Sequence, residues 1–128
     1  MGISNTQRTL KAMREQGRTC AIAEKFNHFA GPHGIRQDMF GFIDIICIDP
    51  VQGIVAVQSC GGDYAAHVRK LKEERNEAVY EWLKHAPCEL WGWRKLKVKR
   101  GGKAKRWYPR IGDVVLDDNE DIEVVERK

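Results

Sequence analysis

The sequence predicts an α/β fold, a central mixed β-sheet flanked by helices, on three observations. Two short apolar runs, Phe42–Ile48 and Ile54–Val57, flank the turn signal Asp49-Pro50-Val51-Gln52-Gly53, which is the pattern of a β-hairpin with buried strands. A helix-period segment follows from about Asp63 to His85, and Pro87 stops it. Another strand, Glu89–Val98, comes next, so strands stand on both sides of a helix and the sheet is mixed in direction.

In chain order, Asn5 or Thr6 can cap a first helix reaching about Gln16, with Leu10 and Met13 inward and Gly17 as its stop. Thr19–Phe26 reads as a strand. Asn27–Gln37, with Gly31-Pro32 and Gly34, reads as a loop that also carries His28, His33 and Arg36. After the hairpin, Gly61-Gly62 breaks the strand and Asp63 can cap the long helix, whose apolar face is Val68, Leu71, Ala78, Val79, Trp82 and Leu83. Trp91 and Trp93 share one face of the next strand. Gly101-Gly102 then turns the chain into Lys105–Arg110, completing a basic hairpin arm. The order is α-β-β-β-α-β plus that arm. Residues 1–112 read as a single domain, and 113–128 as an acidic tail or as edge strands built on Val114–Leu116 and Ile122–Val125.

A chain of 128 residues can bury one real core. No apolar run approaches the roughly 20 residues that cross a bilayer, and Met-Gly-Ile-Ser-Asn-Thr lacks the basic-then-apolar order of a secretory signal. The cysteines Cys20, Cys47, Cys60 and Cys88 are scattered without a Cys-x-x-Cys pair, which fits a reducing cytoplasm better than a disulfide framework. The net charge of +4 is modest, but its distribution is not. Arg94, Lys95, Lys97, Lys99, Arg100, Lys103, Lys105, Arg106 and Arg110 crowd a stretch with no acid, interleaved with Trp107 and Tyr108. Cations neutralise phosphates and aromatics stack on unpaired bases, so the arm is a candidate nucleic-acid contact as well as a solvated hairpin. The tail then reverses sign.

Asp44 interrupts an apolar strand, where a charge is costly unless it is paired or holds a metal. Gln58 lies near the end of the partner strand, and Glu24 closes a third. Oxygen ligands converging at one sheet end suit Mg²⁺, and the competing reading pairs Asp44 with Arg36 or a nearby lysine. His28 and His33 are loop candidates for a general base or a phosphate contact, or plain polar loop residues. His67 and His85 read as surface or capping residues.

Asp44, thirteen residues, then Gln58-Ser59-Cys60 resembles the PD-(D/E)xK nuclease motif. The segments Glu24–Asn27, Ile35–Ile46 and Trp91-Gly92-Trp93-Arg94-Lys95-Leu96 are similar to small phage and bacterial proteins of that superfamily. The core order of elements is shared with archaeal Holliday-junction resolvases. The resemblance spans roughly residues 6–96. It implies a restriction-endonuclease-like fold and Mg²⁺- or Mn²⁺-dependent hydrolysis of DNA. Asp44, Gln58, Glu24 and the Ser59 carbonyl would act as metal ligands, Arg36 and the arm as phosphate contacts, and a homodimer as the working unit. Gln58 stands where that motif carries an acid and Cys60 where it carries the water-positioning lysine. The role then falls to Lys70, with Arg69 and Lys72 beside it, or to Lys25 or Arg36. A non-cleaving nucleic-acid-binding module on the same fold is the alternative, and an interaction protein joined through its tail and arm is a third.

Overall fold

Ser4 opens the first helix. Its hydroxyl accepts from the Gln7 amide at 3.2 Å, so the cap lies before the Asn5 or Thr6 expected. The computed structural model describes residues 3–27, 29, 31, 34–74 and 76–128, except for the side chains of Asn27, Ile35, Arg36 and Asn76. Helix α1 (Asn5–Glu15) buries Thr9, Leu10 and Met13, then stops where Gly17 adopts φ +91°, a left-handed turn that costs glycine nothing.

The strands are β1 (Thr19–Ile22), β2 (Lys25–Asn27), β3 (Ile35–Gln37), β4 (Ile45–Asp49), β5 (Gly53–Cys60), β6 (Cys88–Lys97), β7 (Lys105–Leu116) and β8 (Ile122–Glu126). Six of them form one mixed sheet in the order β1-β4-β5-β6-β7-β8, while β2 and β3 make a separate antiparallel ribbon. All neighbours in the large sheet are antiparallel except β5 and β6. Parallel neighbours need a crossover, and α2 (Tyr64–Arg69), a π turn (Lys70–Glu74) and α3 (Asn76–Leu83) supply it. The helix expected to run unbroken from Asp63 therefore changes to a π turn at Lys70, with Leu71 buried in that turn and Val79 buried in α3. The Trp82 indole donates to the Pro87 carbonyl at 2.7 Å and fixes the return into β6.

Side chains alternate across the sheet. Ile45, Cys47, Val55, Val57, Trp91 and Trp93 pack with Leu10 and Met13 of α1. Ala56, Cys60, Cys88, Leu90, Val114 and Ile122 pack on the other side with Tyr64, Leu71 and Val79. Helices thus cover both faces, and each buried aliphatic side chain contributes about 1.5–3 kcal/mol.

Two sequence expectations shift. The strand read as Thr19–Phe26 breaks at Ala23 and Glu24, because β2 turns away to pair with β3 inside the presumed loop. The strand read from Phe42 begins at Ile45; Phe42 and Ile43 are buried in the turn before it, where Met39 and Ile43 bridge. At the other end, β7 passes residue 112 without a break and β8 forms the sheet's edge, its Ile122 buried.

A buried ion network ties the ends of these strands together. Asp49 Oδ1 accepts from the Val51 and Gln52 amides at 2.8 and 2.9 Å, closing the β4–β5 turn, while Oδ2 accepts from Arg18 Nε at 2.8 Å. The Gln52 amide first, then Arg18 and the Val51 amide, hold the Asp49 pKa down at about 2. The Arg18 guanidinium also forks onto both oxygens of Glu89 at 2.8 and 2.7 Å. Glu89 is 1% exposed, and takes further bonds from the Trp91 indole at 2.9 Å and Arg127 at 3.0 Å. Burial pushes its pKa up, but Arg18 and Trp91 outweigh it and the carboxyl ends below its ordinary range. Removing one partner of such a pair strands the other charge. Arg18→Met should therefore lower the unfolding free energy by about 3 kcal/mol in urea titration, with R18M/E89L recovering much of that loss. A single variant within 1 kcal/mol of the parent contradicts this reading.

Candidate metal centre

Asp44 sits one residue ahead of β4, clamped from both sides. Its amide donates to the Val57 carbonyl at 2.9 Å and its carbonyl accepts from Ala23 at 2.8 Å. The side chain is equally fixed, with Oδ2 accepting the Ser59 amide at 2.7 Å. The residue is 6% exposed.

Two more carboxylates meet it. Glu24 follows the end of β1, and the β2–β3 ribbon brings the chain back so that Asp38 arrives beside Asp44. Carboxylate oxygens of Glu24, Asp38 and Asp44 all lie within 4.8 Å of one another. Asp38 is held there by a tight turn, in which its carbonyl accepts from Gly41 at 3.0 Å and Met39 and Ile43 exchange backbone bonds. That turn forces Phe40 to φ +54°, unusual for a bulky residue, and leaves its ring 66% exposed. Burial first, then a hydrogen bond that protonated Asp44 donates to Asp38 and the charges of Asp38 and Glu24, raise the Asp44 pKa to about 8; the Ser59 amide pulls the other way. Such a cluster is satisfied by a shared proton or by a hard cation with oxygen ligands.

The third carboxylate is thus Asp38, where the sequence pattern pointed to Gln58. The register does place Gln58 beside Asp44, as expected from the hairpin. Its amide oxygen, however, lies 3.2 Å from His67 Nδ1 on α2. Ser59 meets the cluster through its amide, and its hydroxyl lies 2.8 Å from Thr9 Oγ1, which also receives the Trp93 indole at 2.8 Å. Cys60 is buried, its thiol pushed up to about 12 by burial and by the charges of Asp63 and Asp44. Lys70 is exposed at the first position of the π turn, as are Arg69 just before it and Lys72 within it, and Lys72 pairs with Glu123 at 3.3 Å. The helix residue that reaches the end of β5 is His67, which the sequence marked as a surface residue. Its spacing four residues after Asp63 is the signal that places both on one helix face. Asp63, expected to cap α2, makes no capping bond and instead lies 3.1 Å from His67 Nε2. Sulfur, oxygen and nitrogen atoms of Cys60, Asp63 and His67 also fall within 4.8 Å of one another, giving a second group able to hold a metal ion. His28, His33 and the Arg36 side chain lie outside the described residues.

The basic arm is the outer half of the β6–β7 hairpin. Arg94, Lys95 and Lys97 oppose Tyr108, Trp107 and Lys105, and Lys99, Arg100 and Lys103 lie at its tip, all exposed with Arg106. Trp107 is 41% exposed with the Arg8 guanidinium over its ring at 3.9 Å. Arg110 stacks on Tyr64 at 4.1 Å and pairs with Glu126 at 2.7 Å. Tyr64 lies over Gly92 and Gly112, where any added Cβ would collide with its ring or hydroxyl. Between the arm and the end of β5, Gly61, Gly62, Tyr64, Arg94 and Arg110 line a cavity of about 140 Å³.

No family model, curated protein or solved structure matches the chain. Among the described residues, no helix is long and apolar enough to cross a membrane.

Asp44 gives the centre a pH signature. Its folded pKa of about 8 stands above the ordinary 3.8, so between those values the folded chain binds more protons than the unfolded one. Stability of the metal-free chain is fully present at the acid end of this window and is lost as pH rises through about 8. Asp44→Asn cannot ionise, so in chelator at about pH 8.5 it should need more urea to unfold than the parent, with the gap closing toward about pH 4. Parallel pH profiles for the two proteins contradict this.

Proposed function

We propose that the chain is a divalent-metal-dependent nuclease that hydrolyses DNA phosphodiester bonds, using Mg²⁺ or Mn²⁺ at Glu24, Asp38 and Asp44. The observation that carries this reading is the convergence of three carboxylates at one sheet end, with Asp44 buried and aimed by the Ser59 amide. The order α1, antiparallel β1–β4–β5, helical crossover and parallel β6 supports a restriction-endonuclease-like core, in keeping with the resemblance to the PD-(D/E)xK superfamily.

A bound Mg²⁺ supplies an activated water and neutralises charge gathering on the phosphate. The chain's own residues position the reactants. Asp44 would hold one ligand oxygen in a fixed place, while Glu24 and Asp38 would supply the others from separate stretches of chain. Arg94 and Arg110 line the small cavity beside Gly61 and Gly62, Arg94 with a guanidinium fork that suits a phosphate and Arg110 with its Nε paired to Glu126. The rest of the arm, Lys95 to Arg106, attracts the DNA backbone at longer range. Trp107 already carries Arg8 on its ring, so the arm acts through charge more than through base stacking. A homodimer would present two centres to a duplex or a branched junction.

One observation favours a second reading, a nucleic-acid-binding module that does not cut. Cys60 occupies the position of the water-positioning lysine, and its buried thiol has no positive charge to offer. Lys70 is the helix cation proposed to replace it. Incubating the chain with branched, linear and single-stranded DNA in Mg²⁺ or Mn²⁺ separates the readings. Cleavage is expected, falling about 100-fold or more in Asp44→Asn, while salt-sensitive binding persists. Intact binding with no cutting of any substrate sinks the nuclease reading.

A further inference from the structure

We propose that Cys60, Asp63 and His67 form a second cation site, separate from the carboxylate cluster and suited to a borderline-soft divalent ion of the zinc class. Cys60 ends β5, Asp63 precedes α2, and His67 lies one helical turn farther on. Gly61 and Gly62 make the short link that folds the strand end against the helix start. Potential ligand atoms of all three residues lie within 4.8 Å of one another. Thiolate, imidazole and carboxylate are the donors zinc takes, and three protein ligands leave a fourth position open. Magnesium, which prefers oxygen and keeps its waters, has little use for a thiol.

Two features of the hydrogen bonding point to a cation. Asp63 occupies the N-cap position of α2 yet makes no capping bond, its carboxylate turned instead to His67 Nε2 at 3.1 Å. The ring's other nitrogen, Nδ1, lies 3.2 Å from the amide oxygen of buried Gln58. Both facing oxygens only accept, so a neutral ring leaves one nitrogen lone pair opposed to an oxygen lone pair. An ion at Nε2 removes the conflict, with Nδ1–H donating to Gln58. That outer bond is the one that commonly fixes the tautomer of a metal-bound histidine. Binding replaces the Cys60 S–H proton by the metal, and the proton leaves to solvent. Gln58 thus has a positioning role toward His67.

This site goes beyond phosphodiester hydrolysis, and its test does not depend on cleavage. Co²⁺ is the probe, added to the full metal-free chain under reducing conditions with Mg²⁺ in excess. Tetrahedral thiolate ligation gives a sulfur-to-cobalt charge-transfer band and strong visible bands. One equivalent of Co²⁺ should produce both, and Zn²⁺ should displace it. The bands should persist in Asp44→Asn and in Cys20→Ser, vanish in Cys60→Ser, and weaken about 10–100-fold in apparent affinity in Gln58→Leu. His67→Gln, on a partly exposed helix face, should also lose them and keeps the test decisive should Cys60→Ser fail to fold. Absence of a thiolate band in the parent overturns the proposal. So does a band that survives Cys60→Ser, or one that disappears in Asp44→Asn. Retained cobalt bands in a chain that cuts no DNA would sink the nuclease reading alone.

Discussion

Carboxylates brought within a few ångström of one another in a half-buried site repel unless a cation or proton sits among them, and the end of the central sheet is built around that constraint. Glu24, Asp38 and Asp44 belong to three separate stretches of chain, and each is brought in by backbone pairing. Asp44 is fixed by the hydrogen bonds that join β1, β4 and β5. Asp38 is fixed by a turn that tolerates a left-handed phenylalanine. The three carboxylates together, and not any one of them, form the group that a proton or a cation can bridge.

Contacts at the opposite end of the same strands and beside α2 hold the sheet that carries the site. The Arg18–Glu89–Asp49 network lies on the strands that carry the site, joining the start of β1, the β4–β5 turn and the start of β6. Tyr64 packs on the glycines of β6 and β7, and so locks the start of α2 against the sheet. Successive residues of β5 then serve different purposes. Gln58 reaches α2 through His67, Ser59 gives its amide to Asp44 and its hydroxyl to α1, and Cys60 returns to the helix side. A one-residue slip of β5 would exchange these roles, so register carries chemical meaning here as well as core packing.

Much of this was legible in the sequence. The Asp-Pro-Val-Gln-Gly turn, the apolar runs around it, the helical period after Gly61-Gly62 and the basic hairpin are local patterns, and local patterns survive folding. Asp44 stood out because a lone carboxylate in an apolar strand has to be accounted for. Asp38 did not, since it looked like an ordinary polar residue at a loop end; only the β2–β3 pairing, between strands three residues long, brings it home. Gln58 was assigned to the metal from motif spacing, which records strand position but not the direction of a flexible side chain. His67 and Glu89 were missed for the same underlying reason. Their partners are set by the packing of α2 on β5 and by Arg18 and Arg127 meeting Glu89 from distant parts of the chain, contacts that no sequence period encodes.

Crystals of the metal-free chain soaked in Mn²⁺ test the central claim most directly, through anomalous difference density. The account predicts a strong peak bounded by the carboxylates of Glu24, Asp38 and Asp44, with Ser59 still bonded to Asp44. Saturating Mn²⁺ with no peak among those three side chains, in crystals where they keep the positions described, would contradict it.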